Sequence, residues 1–443
     1  MTRGPGKPTR EPRRPNDCLN RPLQIHPMHE LMKRTLTLLT ALLLAPLTVL
    51  HAAEPPASRP NIVLITADDL GLQLSCYGEK NIVTPQLDRF AAEGVRFTHG
   101  YVAQSSCSPS RAALLTGKWP HQNGQIGLSH LGFAMHAGQK TLPVLLKNAG
   151  YRTGTIGKRH VEPVADASFD WENVTEVGYG RTQNVQWVAE QSRAFLAETK
   201  KAGRPFFYYV NYFDPHGPLN AKTDQIDGLP EKPLAASDIR DPIPFGDADT
   251  REPKAATARL LNTVLRLDTG FGLLMDELKA AGVAENTLVI FVGDNGVVAP
   301  RGKTTSYELG LRVPFLVRWP GTTKPAVRTE LVSLLDIVPT VLEAAGVPAP
   351  EGLAGRSLQP LLRGENVPWR EFIFSEMNFH TPDFLRLQRS VRDARHKLLL
   401  TLNPRGGEPA ENVTRQENVS EKVSSEITLI VTLGLLIPHR FVE

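Results

Sequence analysis

The chain has 443 residues, of which 41% are hydrophobic and 7% aromatic, enough to build a large buried core. This composition excludes an intrinsically disordered protein and allows one large domain together with a smaller one. The formal net charge of +4 does not indicate nucleic-acid binding, because the first 53 residues alone carry 8 Lys and Arg against 3 Asp and Glu.

The first predicted element is an export signal. The basic stretch Met32–Arg34 precedes an apolar run at 36–50, and small residues follow at 52–53, which is the order of a secretory signal peptide and its cleavage site. The apolar run is short for a membrane-spanning helix, so we expect no stable membrane span. We predict a leader at 1–53 with its true start at Met32, or else Met28. The mature protein is then exported, as a periplasmic, secreted or lipid-free surface-associated protein.

Beyond the leader, apolar runs typical of strands alternate with helical patterns. This alternation predicts an α/β fold with a mostly parallel sheet covered on both faces. The predicted strands are 61–66, 151–156, 206–211, 287–292 and 313–318. The predicted helices are 84–94, 141–150, 253–282 and 333–346, most of them marked by a capping residue or a terminal glycine. Residues 217–252 are rich in Asp and Pro with little periodicity, which predicts a long loop.

The pattern changes after about residue 365. Two further strands are predicted at 371–377 and 389–402, and they would form a small C-terminal sheet. We therefore predict a large domain at 54–365, a partial C-terminal subdomain at 366–403 and an atypical tail at 404–443.

Polar clusters follow directly on four of the predicted strands. They are Asp68-Asp69, Lys158-Arg159-His160, Asp214-Pro215-His216 and Asp294-Asn295. Because ligands bind beyond the carboxyl ends of the strands in an open α/β sheet, we expect these clusters to converge on one site. The Asp and Asn side chains offer only oxygen ligands, which favours Ca²⁺ over Mg²⁺ and disfavours zinc. The alternative is that Asp68-Asp69 caps a helix or faces solvent.

A cysteine at a predicted helix start is the most informative feature. In the segment Cys107–Gly117, Pro109 suits the first helical turn and Gly117 suits the position after the last one. The start of such a helix directs N–H groups and a positive dipole end toward an anion. The alternative is a structural cysteine at a loop-to-helix junction. Cys76 is expected to be a buried free thiol, since Cys18 falls in the leader and a nucleophilic Cys107 cannot form a disulfide.

These motifs resemble those of the formylglycine-dependent (type I) sulfatase family, in the family's order. The matching segments are 65–69, 84–88, 107–111, 157–160, 213–218, 293–296 and 307–314. The resemblance implies an alkaline-phosphatase-like α/β sandwich with a central, mostly parallel sheet and a small C-terminal antiparallel sheet. It also implies that a maturation enzyme oxidises Cys107 to formylglycine, whose hydrate attacks sulfur.

The resemblance further implies roles for the polar residues. One Ca²⁺ ion would be held by Asp68, Asp69, Asp294 and Asn295, and the modified Cys107 would touch the same ion. Arg111 would hold the aldehyde hydrate. Lys158 and Lys303 would bind sulfate oxygens and neutralise the charge that moves during transfer.

Two histidines complete the implied site. His160 would assist the hydroxyl groups derived from Cys107, and His216 would protonate the leaving group. Weaker claims belong to His121, His130, His136 and His380.

Within the family, four segments resemble the heparan N-sulfatases, or sulfamidases. They are 105–111, 121–124, 157–163 and 389–391. The resemblance implies a sulfated saccharide as substrate, with N-sulfated glucosamine of heparan or heparin type favoured. Two features depart from this branch, because Lys303 stands where animal sulfamidases carry arginine and 307–314 has the general sulfatase form. The tail lacks the family's closing segment, so we expect it to be truncated or frameshifted.

Three alternatives stay open on the sequence. An O-sulfatase acting on a sulfated polysaccharide shares every core residue, and a phosphonate or phosphate ester hydrolase shares the fold. A non-catalytic sugar-binding protein requires a missing ligand or nucleophile, and none is missing. The sugar, exo or endo action and the oligomeric state cannot be read from the residues.

Overall fold

The structure, a computed structural model, describes residues 59–175, 183–219, 225–243 and 253–402. The predicted leader at 1–53 and the predicted tail at 404–443 lie outside the described residues. Of the predicted long loop, the described part contains a short 3-10 helix at Ala236–Asp238. Among the described residues, no helix is both long and apolar enough to cross a membrane.

Eight strands form one large sheet. They are β1 (Asn61–Asp68), β2 (Val95–Tyr101), β3 (Arg152–Gly157), β4 (Trp171–Val174), β5 (Phe206–Pro215), β6 (Thr287–Gly293), β7 (Arg312–Arg318) and β8 (Ala326–Ser333). Their order across the sheet is β4-β3-β5-β1-β6-β7-β2-β8. Neighbouring strands are parallel, except that β7 is antiparallel to both β6 and β2. The predicted mostly parallel central sheet is therefore confirmed.

Helices cover both faces of this sheet. In the described part of the chain they are α1 (Pro85–Glu93), α2 (Cys107–Thr116), α3 (Pro120–Asn123), α4 (Leu142–Asn148), α5 (Val185–Ala202), α6 (Pro253–Ala280), α7 (Glu308–Leu311), α8 (Ile337–Ala345) and α9 (Gln359–Leu362). Side chains alternate along β1, so that Ile62 and Leu64 join the apolar layer of α2 and α8. Val63 and Ile65 join the opposite layer, with α1, α5 and α6. Burial on both faces explains why β1 reads as a continuous apolar run.

Every predicted strand and helix of the large domain is present within a few residues of its predicted bounds. The sequence reasoning missed β2, β4, β8 and α5. Strands β4 and β8 form the two edges of the sheet, and every residue in the first half of β8 is partly or fully exposed. Edge strands carry more polar residues, so their apolar pattern is weak. Helix α5 begins at an Asn184 cap, whose side chain accepts a hydrogen bond from the Trp187 N–H at 2.8 Å.

A second, antiparallel sheet follows near the C-terminus. It contains β9 (Ile373–Phe379), β10 (Leu385–Arg392) and β11 (Lys397–Thr401), in the order β11-β10-β9. The predicted small C-terminal sheet is confirmed, but the prediction of a single strand over 389–402 was wrong. The Asp393 carboxylate accepts hydrogen bonds from the N–H groups of Arg395 and His396, which turns the chain between β10 and β11.

The C-terminal sheet contacts the loop that leads into α2. The Ser375 hydroxyl donates to the Val102 carbonyl at 2.9 Å, and the Glu376 N–H donates to the Ala103 carbonyl at 2.8 Å. This contact places the end of β9 beside the segment that precedes Cys107. The predicted boundary at residue 365 stays a prediction.

Candidate active site

Four neighbouring strands of the large sheet end at the same edge. Strands β3, β5, β1 and β6 lie side by side and run parallel, so their carboxyl ends are adjacent. Asp68 ends β1, Asp69 follows it, and Asp294 follows β6. Carboxylate oxygens of these three residues lie within 4.8 Å of one another. Two of the four predicted strand-end clusters therefore lie together at this edge.

Each of the three carboxylates is paired with a cation. Lys158 Nζ lies 2.6 Å from Asp68 Oδ2, Lys303 Nζ lies 2.6 Å from Asp69 Oδ1, and Arg111 Nε lies 2.8 Å from Asp294 Oδ2. All six side chains are buried or nearly so. Pairing is what makes burial of so many charges tolerable, because an unpaired charge in a protein interior costs several kcal/mol. The cluster as a whole is close to electrically neutral.

Cys107 begins α2 at the centre of this cluster and is fully buried. Its thiol Sγ lies 3.4 Å from Asp68 Oδ1 and 3.9 Å from Asp69 Oδ1. Burial, reinforced by the Asp68 carboxylate, raises the pKa of the Cys107 thiol to about 12. The thiol is therefore protonated near neutral pH. The N-terminus of α2 does not lower the pKa of this thiol below its usual value.

The predicted features of α2, Pro109 in its first turn and Gly117 after its last turn, are observed. Gly117 has φ of 67° and its N–H donates to the Ala113 carbonyl at 2.8 Å, which ends the helix in the left-handed conformation that glycine tolerates. A side chain at this position would also approach Val338 and Leu353 closely. Both factors explain why glycine follows the last turn.

Arg111 lies one turn after Cys107 and is completely buried. Besides the Asp294 carboxylate, its guanidinium donates from Nη1 to the Asn211 Oδ1 atom and to the Lys158 carbonyl, both at 2.7 Å. Its Nη2 group has no hydrogen-bond partner among the described residues. Arg111 thus fixes the relative positions of α2, β3, β5 and β6 and keeps one donor group for a ligand.

Two buried oxygen atoms of the cluster indicate a place for a cation. Asp69 Oδ2 and Asn295 Oδ1 have no hydrogen-bond partner among the described residues. The Asn295 amide group donates to Asp69 Oδ1 at 2.7 Å, which directs its own oxygen away from that bond. Buried oxygen atoms without partners are costly, and a hard cation satisfies them. The residues present therefore fit a divalent cation with oxygen ligands.

His160 lies beside the cluster, two residues after Lys158, and is 3% exposed. Its Nε2 atom lies 2.7 Å from Nδ1 of His130, and the two rings stack at a centroid distance of 5.0 Å. Burial and the Lys158 ammonium group hold the pKa of His160 far below its usual range. The ring is therefore neutral at neutral pH.

His216 follows β5 and is half-buried. Its Nδ1 donates to the Gly217 carbonyl at 2.7 Å, since a carbonyl can only accept, and its Nε2 lies 3.8 Å from Asp69 Oδ2. Two residues earlier, the buried Asp214 carboxylate accepts two hydrogen bonds of 2.7 Å from the Arg266 guanidinium of α6. This ion pair anchors the end of β5 and with it the segment that carries His216.

The structure brings all the sequence-predicted site residues to one edge of the sheet. They are Asp68, Asp69, Cys107, Arg111, Lys158, His160, His216, Asp294, Asn295 and Lys303. Sequence reasoning missed Asn211 and Arg266. Each is a polar residue inside an otherwise apolar strand or helix pattern, and that signal indicates a buried polar partner. Of the weaker candidates, His121 instead pairs with Glu376 at 2.7 Å.

The chain matches two protein-family models and is similar to known sulfatases. A family model described as Sulfatase matches residues 60–347, and a model described as N-sulphoglucosamine sulphohydrolase, C-terminal, matches residues 301–405. The human N-sulphoglucosamine sulphohydrolase is 36% identical, with 78% of this chain and 74% of that protein covered. The ulvan-active sulfatase of Formosa agariphila is 31% identical, with 80% of this chain and 68% of that protein covered.

A solved structure shares the fold. The phosphonate monoester hydrolase of Silicibacter pomeroyi superimposes with a TM-score of 0.65 at 20% identity, over 85% of this chain and 94% of that one. At this level of identity the likeness concerns the fold alone. The predicted sandwich with two sheets is confirmed by this match and by the strand order described above.

Proposed function

This chain belongs to the sulfatase family, and we propose that it hydrolyses the N-sulfate group of glucosamine in saccharides of heparan or heparin type. The observation that carries the proposal is the buried cluster in which the Cys107 thiol lies 3.4 Å from Asp68, surrounded by paired lysine and arginine side chains. The human relative and the C-terminal family model, by their names, support the N-sulfated sugar. The ulvan-active relative supports a second candidate, an O-sulfatase on sulfated polysaccharide.

We infer that Cys107 acts after oxidation to formylglycine by a maturation enzyme of the host. A thiol whose pKa is about 12 is a poor nucleophile at neutral pH, so the unmodified side chain is unsuited to attack sulfur. The hydrated aldehyde supplies two hydroxyl groups, one to attack sulfur and one to let sulfate leave afterwards. Arg111 would orient them through its Nη2 group, and the neutral His160 ring would assist them by hydrogen bonding.

We further propose that the cation is one Ca²⁺ ion. Its ligands would be Asp68, Asp69, Asp294, Asn295 and the modified side chain of Cys107. A set of carboxylates and one amide oxygen at neighbouring strand ends suits the flexible geometry of Ca²⁺ better than the strict octahedron of Mg²⁺. When bound, the ion supplies a Lewis acid that polarises sulfate oxygens.

Lys158 and Lys303 would then bind the sulfate group. In the structure each ammonium group lies 2.6 Å from a carboxylate that the cation would share. A dication and a sulfate group carry charges of opposite sign, so each would offset part of the charge that the other brings into this nearly neutral cluster. The two lysines then stabilise the negative charge that develops on the departing sulfate.

His216 is the proposed acid for the leaving group. A sulfamate nitrogen must gain a proton as the N–S bond breaks, whereas an activated aryl oxygen scarcely needs one. Replacement of His216 with alanine is therefore expected to lower kcat on glucosamine N-sulfate by about 10²-fold or more and on an activated aryl sulfate by about tenfold or less. Steady-state kinetics on both substrates measure the difference.

The matched control is His99→Ala, which removes a partly buried histidine from β2 that contacts the Thr329 carbonyl. This variant is expected to leave both substrates nearly unaffected. Equal losses on both substrates in the His216 variant contradict the role as acid.

The substrate proposal is tested by comparing glucosamine N-sulfate with 6-O-sulfated N-acetylglucosamine. We expect kcat/KM for the N-sulfate to be higher by about tenfold or more, because a site built to hydrogen-bond its own leaving group and sugar rejects analogues that leave those bonds unmade. Sulfate release measured by ion chromatography provides the readout. A clear preference for the O-sulfate replaces the first candidate with the second, and turnover of a phosphonate or phosphate ester above both supports the hydrolase alternative.

We also propose that the mature protein is exported, to the periplasm or outside the cell. The support is the signal-peptide pattern at 1–53, which lies outside the described residues. Sequencing the N-terminus of the protein purified from the culture fluid or the periplasm locates the cleavage site.

A further inference from the structure

The C-terminal sheet brings a histidine to the edge of the active site. Strand β9 ends at Phe379, and the next residue, His380, directs its ring toward the loop before α2. Its Nδ1 atom lies 2.9 Å from the hydroxyl oxygen of Ser106, the residue that precedes Cys107. His380 is therefore hydrogen-bonded to the residue that precedes the proposed nucleophile, although it comes from a different sheet.

The backbone around His380 is held on both sides. The Gln104 side-chain amide donates to the Phe379 carbonyl at 3.0 Å, and the Leu128 N–H donates to the His380 carbonyl at 3.0 Å. The His380 N–H in turn donates to the Phe384 carbonyl at 3.1 Å. These bonds link the end of β9 to the loop before α2 and to the segment after α3. The ring is thus positioned by a rigid frame, as a specificity-determining side chain requires.

The ring is neutral. Partial burial, together with the positive charges of Lys303 and Lys158, lowers the pKa of His380 to about 4, although the Asp69 carboxylate acts in the opposite direction. A neutral imidazole has one donor nitrogen and one acceptor nitrogen, and the Ser106 hydroxyl engages one of the two. The other nitrogen suits an uncharged hydroxyl, whereas the sulfate charge is met by the lysines.

We propose that His380 is a specificity-determining residue that hydrogen-bonds a sugar hydroxyl next to the sulfated carbon of the substrate. This inference rests on the proposed saccharide substrate. It follows from the position of the ring, which is hydrogen-bonded to the neighbour of Cys107, is half-buried, and lies within electrostatic range of Lys303, Asp69 and Lys158. Ser106 is a positioning residue in this arrangement, because it acts through the ring.

The test pairs enzyme variants with substrates that lack one hydroxyl at a time. On the full N-sulfated sugar, His380→Ala is expected to lose about tenfold in kcat/KM, the effect of one lost hydrogen bond in a partly buried site. The native enzyme should lose a similar factor in kcat/KM when one particular hydroxyl of the sugar is removed. On that same deoxy analogue, His380→Ala should have a kcat/KM close to that of the native enzyme. If the losses in kcat/KM from His380→Ala and from each deoxy analogue simply multiply, the proposed hydrogen bond does not exist.

Further variants separate this role from a structural one. His380→Asn, whose amide keeps a donor and an acceptor, should lose less kcat/KM than His380→Ala. Ser106→Ala, which frees the His380 ring from its partner, should show part of the loss of His380→Ala. An activated aryl sulfate, which has no sugar hydroxyl, should be affected far less than the sugar by His380→Ala. An equal loss on both substrates overturns the proposal. The matched control is His396→Ala, which removes a histidine of the same sheet that pairs with Asp393 and should leave both activities unchanged.

A binding measurement keeps the inference distinct from the proposed function. In Cys107→Ala protein, which cannot turn over, addition of glucosamine N-sulfate should shift the ¹⁵N resonances of the His380 ring. The His396 resonances should not move. A native enzyme without activity on any sulfated sugar refutes the proposed function. An active native enzyme whose His380 resonances do not respond to the bound sugar refutes the inference alone.

Discussion

Replacement of Cys107 with alanine is expected to lower turnover of every sulfated substrate by about four orders of magnitude or more. The side chain lies at the centre of the buried cluster, and the proposed nucleophile derives from it, so no neighbouring group can take its place. The fold should persist, because the change removes one sulfur atom from a site that already holds polar groups. Sulfate release and thermal unfolding measure the two effects.

The proposed oxidation of Cys107 can also be detected directly. Peptide mass spectrometry of active enzyme should find the Cys107 side chain converted to an aldehyde after expression with a maturation enzyme. The matched control is Cys76→Ala, which removes the other cysteine of the described chain. Cys76 is partly buried and lies in a short 3-10 helix, Ser75–Tyr77. This variant should retain activity. Active enzyme with an unmodified thiol at Cys107 contradicts the proposed nucleophile.

Removal of divalent cations is expected to abolish turnover, and addition of Ca²⁺ should restore it. The cluster contains two buried oxygen atoms without hydrogen-bond partners in the described chain, and these are the atoms that a cation satisfies. If Ca²⁺ binds the folded state as proposed, it should also raise the free energy of unfolding, by about 2.7 kcal/mol at a concentration of 100 times Kd. Calorimetry with and without Ca²⁺ gives this value independently of activity.

The variant that tests the cation site best is Asp69→Asn. It keeps the shape of the side chain and removes its charge, so the Ca²⁺-dependent rise in Tm and the turnover should both be lost. Asp69 and Asp294 both pair with a buried cation, and an unpaired buried charge destabilises a fold by about 3–5 kcal/mol, so the quantity compared is the rise in Tm on addition of Ca²⁺ to each protein rather than the absolute Tm. Asp170→Asn, which removes a more exposed partner of Lys147, should keep the Ca²⁺ response. A full response in Asp69→Asn refutes the assignment.

The charge balance of the cluster explains how one site can accommodate both ligands. Three carboxylates and three cations are paired in the structure. If the proposed dication bound the carboxylates, it would take over the charges that now pair with Lys158 and Lys303, and the two ammonium groups would be available to an anion. Cation and sulfate binding are therefore expected to reinforce each other, and neither should be tight without the other.

The sequence by itself determined where the polar clusters lie. Parallel strands end at a common edge, so residues that follow β1, β3, β5 and β6 must lie near one another whatever the side chains do. The start and the end of α2 could likewise be predicted, because a proline in the first turn and a terminal glycine report local backbone conformation. Strands buried on both faces could also be predicted from the sequence, because their apolar runs are continuous.

Local patterns failed where burial is partial. The edge strands β4 and β8 carry polar residues that hide their strand pattern. The hairpin of β10 and β11 appeared as one long strand, because the turn at Asp393 depends on side-chain hydrogen bonds to the backbone rather than on glycine or proline.

Only the tertiary structure decided which side chains are partners. Arg111 meets Asp294 across 183 positions of sequence, Arg266 meets Asp214 across 52, and Ser106 meets His380 across 274. Such pairs are selected by packing of the finished fold, and no periodicity or spacing in the chain records them. The neutral charge of the cluster and the place of His380 beside Ser106 follow from these distant contacts, because charge pairing and burial are properties of the assembled site.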